Sequence, residues 1–274
     1  MRRSWVVIVF VVAACTPQVE PEPATTTTTQ PPVATTSVAP IEVPPCLAGE
    51  APFIESGSAS PPGRTAGDAR TLREISWDEF ERCDRLVFSF GSEAGAPAVV
   101  PPAVATFLDR ATGVLRVSLP AEVDGSVIAT QLVDTKLVDR VFVVRTADGT
   151  LALDVHLAAA ALARVQASTA PSRITVDLVP GGSGYGSSPL LTEDVVVLTP
   201  TGGSVAYPFA VTGYRWGDLG AVRVSTPSAS QEATTTTAEG SDGWSSFVAL
   251  FPDGPTGPVV LELGDVVLDL FVTG

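Results

Sequence analysis

Few side chains in this 274-residue sequence can do chemistry. The one histidine, His156, stands two residues after Asp154, a spacing that in a strand puts imidazole and carboxylate on one face. Such a pair could act as a general base with its orienting acid; the plainer reading is a solvated or cross-strand histidine. Lys136 is the one lysine, so an amine nucleophile has a single candidate. The carboxylate pairs Asp78-Glu79 and Glu193-Asp194 suit acid/base hydrolysis, but nothing in the sequence sets two of them across a cleft. Tyr214-Arg215-Trp216 combines aromatic faces with a guanidinium and suits a sugar ring or a protein partner; it reads as a loop edge and the candidate binding site, with Trp244 assigned to the core. Three cysteines and one histidine are too few for a Cys/His zinc cluster, so no metal, no cofactor and no catalytic residue are expected.

The charge balance narrows the partners. Sixteen basic residues against 30 acidic ones leave a formal net charge of -14, whereas nucleic acid and anionic lipid surfaces demand clustered cations. Nucleic acid is therefore excluded as a partner.

The N-terminus sets the compartment. Arg2 and Arg3 precede the apolar run from Trp5 to Ala14, the charged and hydrophobic regions of a secretory signal. At about 1.5 Å per residue in a helix, that run covers only about half a bilayer's hydrocarbon thickness. Residues 1–14 are thus read as a cleaved signal peptide. Val12-Ala13-Ala14-Cys15 resembles the bacterial lipoprotein processing box, which implies that Cys15 is acylated and anchors the chain to the outer face of the cell membrane. Residues 15–45, with Thr25 to Thr29 and repeated prolines, have too few large apolar side chains to fold and read as a disordered stalk. Fully extended, it spans about 90 Å. A bare tether and an O-glycosylated one both fit its threonines.

Beyond the stalk the signals are strands. Leu86, Phe88 and Phe90 alternate with smaller residues, as do Leu115, Val117 and Leu119, and Asp148-Gly149 marks a hairpin between Val141 and Leu157. Leu157 to Ala167 fits a short helix or a strand-to-loop transition, and Cys46 to Gly67 reads as irregular. Three elements in this order, Asp84 to Phe90, Gly113 to Leu119 and Ala170 to Leu178, resemble the AMIN-like domain of actinobacterial lipoproteins. The Pro171-Ser172-Arg173-Ile174-Thr175-Val176-Asp177 element is the most telling. The resemblance implies a small β-sandwich over 46–180 that binds the envelope, with peptidoglycan as ligand and no catalysis. The apolar, proline-rich stretch Gly95 to Asp109 departs from the family pattern.

Gly181 to Ser188 reads as a flexible linker, placed at 181–189, because every residue in it but Tyr185 is glycine or serine and no Gly-Lys-Ser/Thr follows that would cradle a phosphate. Lacking apolar residues to fix an interface, it predicts two domains that move independently. After it, seven or so short strands in about eighty residues point to a second sandwich over 190–274. The order Leu198-Thr199-Pro200, Pro208 to Gly213, then Gly243-Trp244 with Phe247, resembles the immunoglobulin-like domain associated with bacterial spore germination (the Gmad family). That resemblance makes Thr234 to Thr237 a strand and implies an interaction module.

With Cys15 acylated, Cys46 and Cys83 remain as an even pair in an exported chain, which predicts a disulfide. The resulting expectation is an all-β, membrane-anchored, non-enzymatic lipoprotein of two tandem β-sandwiches, the second immunoglobulin-like. Its partners would be the bilayer, peptidoglycan or an envelope protein. An envelope hydrolase acting on peptidoglycan or glycan, and an interaction subunit of a membrane complex, are the alternatives.

Overall fold

The computed structural model describes residues 43–59, 67–125, 128–186, 188–217, 221–237 and 243–274; the segment expected to be a signal peptide, Cys15 and the expected stalk up to residue 42 lie outside them. In the first half the strands are β1 (Gly57–Ser58), β2 (Ala69–Glu79), β3 (Asp84–Ser92), β4 (Ala105–Asp109), β5 (Val114–Ser118), β6 (Gln131–Leu132), β7 (Val138–Arg145), β8 (Leu151–Leu157), β9 (Ala161–Ser168) and β10 (Arg173–Pro180). The second half carries β11 (Leu190–Leu191), β12 (Val195–Thr199), β13 (Ser204–Ala206), β14 (Phe209–Trp216), β15 (Ala221–Thr226), β16 (Ala229–Thr234), β17 (Thr236–Thr237), β18 (Trp244–Phe251), β19 (Gly257–Leu263) and β20 (Val266–Thr273). The fold is all-β, and no described helix is long and apolar enough to cross a membrane.

Side-chain alternation builds two cores. Leu86, Phe88 and Phe90 of β3 and Ile174, Val176 and Leu178 of β10 meet Leu115, Val117, Leu153 and Val155 of the facing sheet. The second core, from Val195 to Val272, is assembled the same way, with Val211, Phe247 and Phe251 facing Val224, Leu261 and Leu270. On β2, Leu72 and Ile75 both point inward although they stand three positions apart, because the ladder slips between Leu72 and Glu74 and leaves Arg73 as the extra residue of a bulge. The alanine-rich stretch after Leu157 is a strand, not a helix: β9 pairs with β10 from Ala161↔Pro180 to Ser168↔Arg173, and that ladder outweighs alanine's helical preference. Thr236 and Thr237 pair with β18, in keeping with the strand expected there.

A four-stranded sheet, β2-β3-β10-β9, and a five-stranded sheet, β13-β20-β19-β15-β16, form the two outer layers. The inner layer is continuous. Its order is β1-β4-β5-β8-β7-β18-β14-β12-β11, with β6 on β7 and β17 on β18, so one 11-stranded sheet serves both sandwiches. The join is a short parallel ladder, Val144↔Trp244 and Arg145↔Ser245. Around it Phe142, Val144, Val196 and Tyr214 form a third buried cluster.

That join corrects the picture of two modules on a flexible linker. The apolar residues that unite the halves come from β7, β12 and β14, which sequence proximity to the linker does not indicate. The glycine-rich segment is itself held against the first sandwich. Tyr185 Oη accepts from the Ala161 amide at 2.8 Å, and a Cβ on Gly113, whose φ is +67°, would lie 2.8 Å from the Tyr185 ring. Glu55 accepts from the Ser183 amide and hydroxyl at 3.0 and 3.1 Å, which together with Arg110 holds its carboxyl below the usual range. The described residues form one compact unit.

Candidate functional site

Cys46 and Cys83 are joined in a disulfide, with Cα atoms 6.3 Å apart. It fastens the start of the described chain to the turn between β2 and β3. Beside it, Asp177 on β10 is fully buried and accepts from Arg85 at 2.6 and 3.0 Å, from Arg164 at 2.9 Å and from Gln166 at 2.9 Å. Arg164, 2% exposed, spends its other donors on the carbonyls of Cys46 (2.9 Å), Ala48 (2.6 Å) and Gly49 (3.2 Å), and its guanidinium lies 4.5 Å from the centre of the Phe53 ring. Arg85 also reaches the Pro45 carbonyl at 2.7 Å. Cys46 to Gly49, expected to be irregular, is thus locked to the sheet by a covalent bond and a multiply bonded ion cluster. Removing one partner of such a buried pair costs about 3–5 kcal/mol, because the remaining charge is left without compensation.

The candidate binding residues are brought together differently from the sequence reading. Tyr214-Arg215-Trp216 is the end of strand β14, not a loop edge. Tyr214 is fully buried and its hydroxyl donates to Asp154 Oδ2, so it faces the other sandwich and cannot meet a ligand. Burial first, and then the neighbouring Asp154 charge, raise the Tyr214 pKa well above that of a free phenol. Arg215 is half-buried on the same strand. Trp216 alone stays open, 52% exposed, with its ring 5.9 Å from Trp244 in an edge-on contact. Trp244, assigned to the core, is half-buried and packs on Phe142 at 5.0 Å.

His156 is not solvated. Register places Arg116, Asp154 and Phe142 in one cross-strand row of β5-β8-β7, and Val114, His156 and Arg140 in the next. Tyr214 closes over these rows, its ring 5.4 Å from that of Phe142. His156 is 3% exposed, 4.8 Å from the Phe142 ring and 5.7 Å from the Tyr214 ring, and its Nε2 has no hydrogen-bond partner. Burial therefore lowers its pKa to about 4, against the opposing pull of Asp154 and Asp139 and with a smaller contribution from Arg140 and Arg116. Asp154 is gripped by Nε and Nη2 of Arg116 at 2.8 and 2.6 Å, and this pair of bonds, opposed by desolvation, raises the guanidinium pKa further. The Asp154-His156 spacing was visible in the sequence; what could have pointed to a buried ion pair was a carboxylate set inside the apolar run Leu151 to Leu157.

The carboxylate pairs do not converge on a cleft. Glu79 reaches Lys136 at 3.2 Å, while Glu193 and Asp194 lie exposed before β12. Among the described residues no group of three or more His, Cys, Asp or Glu could hold a metal ion. Sequence reading missed the Asp177 cluster and a cavity on the outer face of the four-stranded sheet, lined by Arg73 and Arg173. Arg173 and Asp177 both lie in the Pro171 to Asp177 element, yet only the sheet reveals that one side chain is clamped and the other open. Compared with known protein families, curated proteins and solved structures, the chain matches none of them.

Proposed function

We propose that this chain is a non-catalytic cell-envelope lipoprotein, anchored at the outer face of the cell membrane through acylated Cys15. In this reading the AMIN-like first sandwich binds peptidoglycan, and the immunoglobulin-like, spore-germination-type second sandwich meets an envelope partner. The observation that supports it best is the clamp at Cys46. A threonine- and proline-rich tether enters the fold through a disulfide and the buried Arg164-Asp177 cluster, so a pull between membrane and wall falls on a covalent bond instead of an unzipping end strand. The one histidine supports a non-catalytic role, being enclosed between the two halves where a substrate has no access. A partner-facing second sandwich is supported by Val248, Leu250 and Trp216, which share the outer face of β14 and β18 and are 45%, 60% and 52% exposed.

The test has two parts. Protein from native membranes should begin at a modified Cys15, and Cys15→Ser should release it; an unmodified N-terminus elsewhere refutes the anchor. The purified chain should co-sediment with insoluble peptidoglycan without releasing soluble fragments. Fragment release that is lost in His156→Ala would instead establish the hydrolase alternative.

A further inference from the structure

The cavity on the outer face of the four-stranded sheet measures about 510 Å3, within the range of small-ligand sites. Arg73, Glu74, Ser89 and Arg173 line it, between walls made by Pro97 and Pro171. Arg85, Arg116, Arg164 and Arg223 each grip a carboxylate. Arg73 and Arg173 grip none among the described residues, and Glu74 likewise has no cation.

Two features of the fold position Arg73. It is the unpaired residue of the β2 bulge, which turns its side chain off the regular ladder. Against its stem lies Gly91, the ladder partner of Thr71, where a Cβ would lie 2.6 Å from Arg73 Cδ and 2.7 Å from Thr71 Oγ1. Gly91 is not among the residues of positive φ, so its lack of a side chain is a matter of space: it leaves room for the arginine stem. The rim is held equally firmly. Asp68 accepts from the amides of Val99 and Val100 at 3.0 and 2.7 Å, which lowers its pKa, and the turn leading into Arg173 is tied down by Ala170 N to Val99 O (2.9 Å) and Ser172 N to Ala98 O (2.8 Å). Ser172, also in the lining, has a buried hydroxyl with no partner. Charged groups left unpaired in a rigid concave site are the marks of a binding site rather than of a stabilising surface network.

We propose that this cavity binds the free end of a peptide bearing carboxylates and an amine, each guanidinium taking a carboxylate and Glu74 the ammonium. Planar guanidinium forks match carboxylates in two parallel hydrogen bonds, and the adjacent acid selects ligands that also carry a cation. The site rests on the wall-binding reading only for its physiological source, the stem peptides of peptidoglycan.

The experiment titrates the full-length chain in mild detergent with a soluble stem tripeptide that ends in a diamino dicarboxylic acid, and with the same peptide fully amidated at its carboxylates. The free peptide binds; the amidated one binds about tenfold or more weakly, and Arg73→Gln and Arg173→Gln each weaken the free peptide by a similar factor. Gly91→Ala weakens it too, without any change of charge, by displacing Arg73. Glu74→Gln weakens the peptide with a free side-chain amine but not its N-acetylated form. Both arginines are exposed, so their variants keep the wild-type melting temperature. Equal affinity for the free and amidated peptides, full affinity in both arginine variants, or no binding of the free peptide by the wild type overturns the site. Peptidoglycan sedimentation run in parallel separates the two ideas: retention of the arginine variants by the wall together with their full affinity for the free peptide leaves the wall-binding reading standing and removes this site, and no retention of the wild type removes the reading while the peptide titration decides the site.

Discussion

His156 should dominate the pH dependence of this protein's stability between pH 4.5 and 6.5, and its replacement should flatten that region. The imidazole is the only one in the sequence, so no second histidine titrates there. Its pKa is about 4 when folded against an ordinary value of 6.5 when unfolded. The unfolded chain therefore binds the extra proton first, and stability, full above pH 6.5, is lost as pH falls toward 4. The difference of 2.5 pH units corresponds to about 3 kcal/mol in all, of which about 2 kcal/mol is lost between pH 7 and 4.5. Carboxylates held low, those of Glu55, Asp68 and Asp148, also destabilise the fold on acidification, but mainly below the window, as pH drops past about 4. Urea unfolding at half-unit pH intervals gives the slope. His156→Leu keeps the contact with Phe142 and Tyr214, removes the orphaned Nε2, and should hold a constant unfolding free energy from pH 6.5 to 4.5. Because burial is the main cause, the wild-type slope should persist in high salt, which screens only the charges of Asp154, Asp139, Arg140 and Arg116. An identical acid slope in wild type and His156→Leu would refute the reasoning, since the proton would then be taken up elsewhere.

Three further outcomes test the packing. Tyr214→Phe should cost about 1–3 kcal/mol by leaving Asp154 short of a donor, and Phe142→Ala about 3–5 kcal/mol; in both, tryptophan fluorescence and far-ultraviolet circular dichroism should report one shared transition of both sandwiches, and two separated transitions in the wild type would refute the joined sheet. Cys46 and Cys83 should resist thiol labelling until reduced, and Cys46→Ser with Cys83→Ser should cost about 4 kcal/mol in chemical denaturation, from closure of a loop with a separation of 37. Trp216→Ala should leave the melting temperature nearly unchanged, because the ring is 52% exposed; a loss of several degrees would place it in the interface instead.

What the sequence by itself determined was local. Period-two alternation in Leu86, Phe88 and Phe90, the Asp148-Gly149 turn and the even cysteine pair each depend on neighbours along the chain or on simple arithmetic, and they anticipated an all-β fold and the Cys46–Cys83 bond. Alternation also put Ala152, Asp154 and His156 on one polar face of β8, but whether that face meets water depends on what covers it. Only the tertiary structure decided this, because the cover is Tyr214, sixty positions after Asp154, brought across by the ladder between β7 and β18. The same holds for Leu157 to Ala167, whose alanines favour a helix in isolation and whose strand exists because β10 offers a full ladder. Arg85, Arg164 and Arg173 look alike in a sequence; pairing across β3, β9 and β10 buries Asp177 beneath the first two and leaves the third open beside Arg73. Long-range register sets which charges meet, and it is a property of the assembled sheets rather than of any segment.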